Sequence, residues 1–442
     1  MKFKLLLGIL LVVLPGGRAL GQASGATEQP LSMYQVLRLL AGGVPGQRMA
    51  ELAQERGIDF EPTPGFIRTL REAGADSSLL TALQSAPRKK LINVPRDYEA
   101  QQAAKAVEDY RAALQEDPDN PVLHFILGYA LGTQGKVDET IGEYRAAIRL
   151  KPDFAGAHNS LGNALTEKKD YDGALAEYHE ALRINPNYSE AHSNLGNALR
   201  AKGDVDGSIA EFHESIRLNP EFGLAHYNLG FALLTKRDPD GALAEFQNAV
   251  RIQPDWAEAH NMLGWTLMQK RDTDGAITEY RTAIQLRPNL AFVHANLGWA
   301  LEAKNDPDGS ITEFRQAIAL TPNYPEAHNG LGYALYMKKD FDGAVGEYRA
   351  AIRLKPDEPV FHFNLGLSLG EKRDYDGAIG EYREVIRLKP DLPGGHYNMG
   401  WAFERKGDAS SALEQYRMAY EIDPKNTQYK TAYERLLAKP RK

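Results

Sequence analysis

Residues 187–220 read "NYSEAHSNLGNALRAKGDVDGSIAEFHESIRLNP". In the first half, Ala191, Leu195, Ala198 and Leu199 recur at helical spacing and mark one buried face. Gly196 lies on that face, where the missing side chain lets a second helix approach closely. Asn187 and Glu190 make an Asn-x-x-Glu start similar to a capping box. "AKGD" interrupts as a Gly-containing turn. Ile209, Phe212 and Ile216 then form a second stripe, and Asp204 or Asp206 can cap that helix. Pro220 stops it, because proline lacks the amide hydrogen needed to continue. The stretch predicts two antiparallel helices joined by a turn.

The same unit recurs. Pro118, Pro152, Pro186, Pro220, Pro254, Pro288, Pro322, Pro356, Pro390 and Pro424 are each 34 residues apart. Glycine keeps that interval from Gly128 to Gly400, and an aromatic keeps it from Tyr144 to Tyr416. Nine units fit between 121 and 426. A helix pair with one apolar face cannot stand alone, but stacked pairs bury a continuous core. The expected fold is an all-α solenoid.

The pattern resembles the tetratricopeptide repeat. In 187–220 the resemblance rests on Leu195-Gly196, Leu199, Ser208, Phe212, Ser215 and Pro220. The family prefers Ala where Ser208 and Ser215 stand, and other units comply, as with Ala174 and Ala181. The resemblance covers 121–426 and implies a right-handed superhelical solenoid of 34-residue helix-turn-helix repeats. His replaces the family's usual large aromatic at His124, His158, His192, His226, His260, His294, His328, His362 and His396. The "AHxNLGxAL" variant is similar to the repeats of O-linked N-acetylglucosamine transferases. Those enzymes carry a large catalytic region after the repeats. This chain runs only eighteen residues past Pro424, so their activity is not expected here. No catalytic residue, metal ligand or cofactor site is assigned.

The flanks read differently. Over 1–21, Lys2 and Lys4 precede an apolar run from Leu5 to Leu14, then "PGG" and Ala19-Leu20-Gly21. That is the layout of a secretory signal peptide cleaved near Gly21, too short for a bilayer span of ~20 residues. Export to the periplasm or medium is expected, with no stable membrane span afterwards. Residues 22–96 hold a small helical module and linker, off the 34-residue interval. Helices are expected at about 32–41, 45–57, 63–74 and 76–85, ended by Gly42-Gly43, Gly57 and Gly74. Leu37, Leu40, Leu52, Ile58, Phe60, Phe66, Leu70, Leu79, Leu80 and Leu83 are its candidate core. Residues 97–117 resemble the second helix of a degenerate repeat and form an amino-terminal cap, and 427–442 form the carboxy-terminal cap and tail. The chain has no Cys, which excludes disulfides and thiolate chemistry. Its net charge of −7 argues against a general nucleic-acid binder.

The repeated histidines invite a metal reading, but geometry opposes it. Packed helices lie ~8–10 Å apart, whereas ligands sit ~2.0–2.1 Å from a metal. Packing is the preferred reading: His192 borders the buried stripe and can donate one hydrogen bond. In the first turn of a helix the dipole disfavours imidazolium, so neutral rings are expected at pH 7. A loss of helicity near pH ~5–6 is the associated hypothesis.

Function is sought on the opposite face of the first helix, at the residues one, two, five, eight and nine places after each His. Five places on stand Tyr129, Asn163, Asn197, Phe231, Trp265, Trp299, Tyr333, Leu367 and Trp401. One place on, Tyr227 and Tyr397 are notable, with Phe125, Asn159, Ser193, Asn261, Ala295, Asn329 and Phe363 at the same place. Two places on, Asn194, Asn228, Asn296, Asn364 and Asn398 recur. Rings supply contact area, and Asn offers both donor and acceptor to an extended backbone. The transferase resemblance implies that these Asn contact peptide backbone, a role interrupted at Ile126, Ser160, Met262 and Gly330. Rings of successive repeats stacking on each other is the competing reading. At ~10 Å per repeat and ~3.3 Å per extended residue, the groove would hold on the order of 27 residues. The Arg145–Arg149, Arg349–Arg353 and Arg383–Arg387 pairs are read as a solvated outer face.

The sequence therefore describes a non-enzymatic scaffold or assembly factor binding an extended peptide or helix in the repeat groove. The alternative is a repeat subunit of a cell-envelope glycan or glycosyl-transfer system, with aromatics stacking on sugar. An enzyme housed in 31–86 is the weakest option, since that region has neither His nor Cys.

Overall fold

The computed structural model describes residues 31, 33–58, 60, 62, 64–87 and 98–438. The expected signal peptide over 1–21, the polar stretch 22–30 and most of the linker over 86–97 lie outside them. Apart from an isolated bridge between Leu31 and Ile58, the regular structure of the described residues is helical. No helix among them is long and apolar enough to cross a membrane.

The chain divides into two compact units, one up to Ala198 and one from Leu199. The first contains α1 (Met33–Ala41), α2 (Gly46–Arg56), α3 (Pro64–Glu72), α4 (Ser77–Ser85) and α5 (Tyr98–Glu116). Its repeats follow as α6 (Pro121–Gly132) with α7 (Val137–Leu150) and α8 (Ala155–Glu167) with α9 (Tyr171–Ile184). The boundary then falls within α10 (Ser189–Ala201). The second unit continues with α11 (Val205–Leu218), α12 (Gly223–Thr235), α13 (Pro239–Ile252), α14 (Ala257–Gln269), α15 (Thr273–Leu286) and α16 (Ala291–Ala303). It ends with α17 (Pro307–Leu320), α18 (Pro325–Met337), α19 (Phe341–Leu354), α20 (Pro359–Glu371), α21 (Tyr375–Leu388), α22 (Pro393–Lys406), α23 (Ala409–Ile422) and α24 (Thr427–Leu437). Within each unit consecutive helices pack pairwise, as repeats of an A helix (α6, α8 and so on) and a B helix (α7, α9 and so on).

In the module before the repeats, Leu37, Phe66, Leu70, Leu79 and Leu83 are buried as expected, whereas Leu40, Leu52, Phe60 and Leu80 are only partly covered. Ile58 is buried as expected too, and Val36, Met49, Ala53 and Ile67 add to that core.

Where an A helix and its B helix share a unit, the A-helix glycine has one job. A Cβ at Gly162 would lie 2.5 Å from the ring of Tyr178, and one at Gly366 2.6 Å from the ring of Tyr382. The B-helix aromatic thus fills the space that a side chain would need, and Phe212, Phe246, Phe314 and Tyr382 are fully buried. The A–B turn places one residue per repeat in the left-handed region: Gly at 135, 203 and 407, but Lys, Arg or Asn at 169, 237, 271, 305, 339 and 373. Every B helix from α9 onward opens on an Asp whose carboxylate accepts from the amide three residues on, as Asp272 does from Gly275 at 3.0 Å, whereas α7 follows Lys136 and has no such cap. Asp204, not Asp206, caps α11. Asp206 instead pairs with Lys236 at 2.7 Å, an exposed ion pair of the kind that contributes ~0–1 kcal/mol. The Asn187–Glu190 capping box does not form: α10 starts at Ser189, and Glu190 faces Arg71 at 3.5 Å.

Gly366→Ala tests the A–B contact. Overpacking against Tyr382 costs ~1–3 kcal/mol and exceeds the ~1 kcal/mol that Ala gains in helix propensity. The urea midpoint of the variant should fall. A rise would show that the ring yields to the added methyl.

Candidate protein-binding face

The recurring histidine is a bridge. In the second unit, Nδ1 of His226, His260 and His294 lies 2.6 Å from Glu245, Glu279 and Glu313 of the following B helix. Nε2 of the same rings meets the carbonyls of Pro220, Pro254 and Pro288 at 2.9–3.0 Å. In the first unit His124 and His158 repeat the arrangement with Glu143 and Glu177. The proline carbonyl only accepts, so Nε2 carries a hydrogen. An ionised Glu at Nδ1 accepts as well, and a ring donating from both nitrogens is imidazolium. At His158, His226 and His260 the direction of the pKa shift runs against the expectation of neutral rings. At His158 and His226 burial pulls the pKa down, but the Glu hydrogen bond and the Pro carbonyl outweigh it and the net direction is up. At His260 the Glu279 hydrogen bond is the largest influence, and the direction is again up. Specific acceptors within 3.1 Å override the diffuse dipole of a helix terminus. Among the described residues no group of three His, Asp or Glu side chains converges as a metal site would require.

The face away from this bridge is graded. One place after His, Phe125, Asn159, Ser193, Asn261, Ala295 and Asn329 are buried, so that register packs rather than faces a partner. Tyr227 stands 4.4 Å from the Trp256 ring centroid, and Tyr397 is covered by α24, accepting a hydrogen bond from Gln428 at 3.0 Å. Two places after His, Asn194, Asn296 and Asn364 donate to the Oδ1 of Asn159, Asn261 and Asn329, one repeat earlier, at 2.9–3.0 Å. Asn398 donates to the carbonyl of Gly394, and Asn228 is buried. One amide hydrogen of each of Asn194, Asn296, Asn364 and Asn398 is thus used within the chain. The interruption at Gly330 has a steric cause: a Cβ there would sit 2.3 Å from the Phe314 ring of the preceding repeat.

Five places after His the surface opens. Trp265, Trp299 and Tyr333, in three consecutive repeats of the second unit, are 37%, 36% and 36% exposed. Trp299 and Tyr333 stand 5.7 Å apart, and the Trp299 edge rests on buried Phe314 at 5.2 Å. Phe231, Tyr129 and Trp401 are only partly exposed. A pocket of about 320 Å³ opens beside the pair, lined by Trp299, Glu302, Ala303, Asn305, Pro307, Tyr333 and Met337. Glu302 lies eight places after His294, on the predicted face, yet no residue-level signal marked it.

In the first unit the same face is already covered. Helix α3 lies against α8. The Glu72 carboxylate accepts from Asn159 Nδ2 at 3.1 Å, from Ser160 Oγ at 3.2 Å and from the Tyr188 hydroxyl. Gly156 permits this approach, since its Cβ would lie 2.6 Å from that of Glu72. Nothing in the sequence of 64–72 announces this docking.

Helix pairs on a 34-residue interval, with a glycine seated on the partner's ring, are the repeat the sequence resembles. A tetratricopeptide repeat family model matches residues 193–255, 232–291, 296–359 and 363–427, and a TPR repeat model matches 133–168 and 162–199. The chain belongs to the tetratricopeptide repeat (TPR) family. TPR proteins typically mediate protein–protein interaction and assembly, as non-catalytic scaffolds. No curated protein matches this chain. Among solved structures it is similar to YrrB, a TPR protein with an unusual peptide-binding site, at 24% identity over 44% of this chain and 97% of that one, TM-score 0.37. It is also similar to Pseudomonas aeruginosa pilF, at 20% identity over 50% and 96%, TM-score 0.43. The Cut9–Hcn1 hetero-tetramer of APC/C matches at 16% identity over 92% and 97%, TM-score 0.48.

Two outcomes follow. A His pKa raised in the folded TPR chain adds stability that is full below the unfolded value of ~6.5 and is lost as pH rises through the folded value. The urea midpoint should therefore be higher at pH 6 than at pH 8.5, and the reverse order would restore the acid-sensitive reading. Gly156→Ala should release α3, because overpacking costs ~1–3 kcal/mol. Hydrogen exchange in α3 should quicken about fivefold or more while α8 stays protected, and unchanged exchange would contradict the docking.

Proposed function

We propose that this chain is a protein-binding scaffold that holds an extended segment or a helix of a partner on its A-helix face. The observation that carries the reading is the run of Trp265, Trp299 and Tyr333, each more than a third exposed at one register of three consecutive repeats. Large aromatic surface left in water is unfavourable, and a contiguous patch of it marks an interaction site. The chain's own helix α3, laid on the corresponding face of α8, supports the same use of that face. The carbonyls and remaining amide hydrogens of Asn296 and Asn364 are the polar contacts proposed for a partner backbone, the role that the resemblance to the transferase repeats implies. Export is proposed with it, from the basic start and apolar run over 1–21.

The test uses the full chain and fluorescently labelled peptide pools read by polarisation. The triple variant Trp265→Ala, Trp299→Ala, Tyr333→Ala should lose binding at least about tenfold, as expected for truncated aromatic anchors, with its circular dichroism unchanged. Full retention of binding would remove this face from the function. Binding of envelope oligosaccharides and of no peptide pool would replace the reading with the glycan alternative.

A further inference from the structure

The last repeat contains an internal answer to a question posed three repeats earlier. Trp401, Glu404, Tyr416 and Arg435 stand 102 residues after Trp299, Glu302, Phe314 and Tyr333, which is three repeats in the same register. In the last repeat the carboxylate is fully engaged. Arg435 of α24 donates from Nη1 to Oε1 of Glu404 at 2.7 Å and from Nη2 to Oε2 at 2.6 Å. The Tyr416 hydroxyl donates to Oε2 at 3.0 Å. A second guanidinium, that of Arg405, lies 5.4 Å from the Trp401 ring centroid.

Around Glu302 both donors are missing. Phe314 replaces the tyrosine and brings no hydroxyl, and Tyr333 stands where the arginine would be. Oε1 of Glu302 and Oγ of Ser310 are both left buried and neither makes a hydrogen bond of good geometry among the described residues, although the Ser310 hydroxyl stands near enough to act on this carboxyl. Burial is the main influence raising the pKa of this carboxyl, the Ser310 hydroxyl works against it, and Asp306 adds to it. The nearby cations are engaged elsewhere, Lys304 with Asp274 at 2.7 Å and Lys338 with Asp308. Beside the carboxylate is the open pocket of about 320 Å³, walled by Trp299, Tyr333 and Met337. The carbonyl end of α16 adjoins it at Ala303, adding negative potential.

An acidic, aromatic-walled pocket with an unpartnered buried carboxylate oxygen is complementary to one planar cation. Guanidinium stacks on an indole face and pairs a carboxylate through two parallel bonds. We infer that the pocket formed by Trp299, Glu302, Tyr333 and Met337 receives an arginine side chain of the partner protein, reproducing between chains the Arg435–Glu404 pair that the last repeat makes within one. This rests on the protein-binding reading of the face and names the residue that the partner presents.

The experiment separates the two claims by using small probes. Acetyl-arginine amide and its neutral isostere acetyl-citrulline amide are titrated into the full chain, following the indole N–H resonance of Trp299, assigned with Trp299→Phe. The arginine probe should bind about five- to tenfold more tightly, the scale of a partly exposed charged pair with a cation–π contact. Glu302→Gln should abolish the preference while leaving the thermal melt in place. Tyr333→Arg should abolish it too, by filling the site in cis, and should raise the melting temperature. Equal or undetectable responses to the two probes would overturn the inference, as would a preference that survives Glu302→Gln. Peptide pools that bind without favouring arginine would sink this inference and leave the scaffold reading standing. An arginine preference in a chain that binds no peptide pool would sink the scaffold reading and leave the pocket.

Discussion

In the A helices that pair with a B helix of the same unit, a glycine carries no side chain because an aromatic ring from that B helix occupies the space, at distances such as 2.5 Å for Gly162 and Tyr178. The remaining features of a repeat follow from that approach. Two helices this close leave no freedom of rotation, so the small residues beside the ring, Ala174 and Ala181 in that repeat, are fully buried. The His–Glu–Pro bridge then ties the loop before the A helix to its B helix, and the Asp cap starts the B helix at a defined residue. With one face of the A helix committed to the ring and the bridge, the residue five places after His is turned outward.

That rotation explains why side chains of one chemical type have different roles at neighbouring registers. Tyr227 and Tyr397, one place after His, are drawn against other rings and against α24. Trp265, Trp299 and Tyr333, five places after, remain in water. The Asn residues two places after face the preceding repeat, which is why Asn296 reaches Asn261 and why only glycine fits at 330, against Phe314. The Asn ladder is thus partly an internal seam between repeats.

Much of this was legible beforehand because a repeat states its own rules nine times. The 34-residue interval located every A and B helix from 121 onward, and rings at six of the nine fifth places after His pointed to the exposed face. The upward pKa direction at His158, His226 and His260 was not legible. Dipole reasoning on one helix predicted neutral rings, whereas the ring nitrogens meet acceptors from two other segments, nineteen residues after and six before in sequence. The Asp204 or Asp206 alternative was likewise decided by geometry: only Asp204 reaches the amide of Gly207.

By itself the sequence determined the all-helical repeat and its period. These depend on local periodicity, and each is set within some 34 residues of chain. Only the tertiary structure decided which polar atoms are matched and which are left over. Glu404 and Glu302 occupy the same register, yet one is held by Arg435 and the other has a buried oxygen without a partner. That difference arises where helices from separate repeats meet, and hydrogen-bond satisfaction depends on distances that no periodicity encodes.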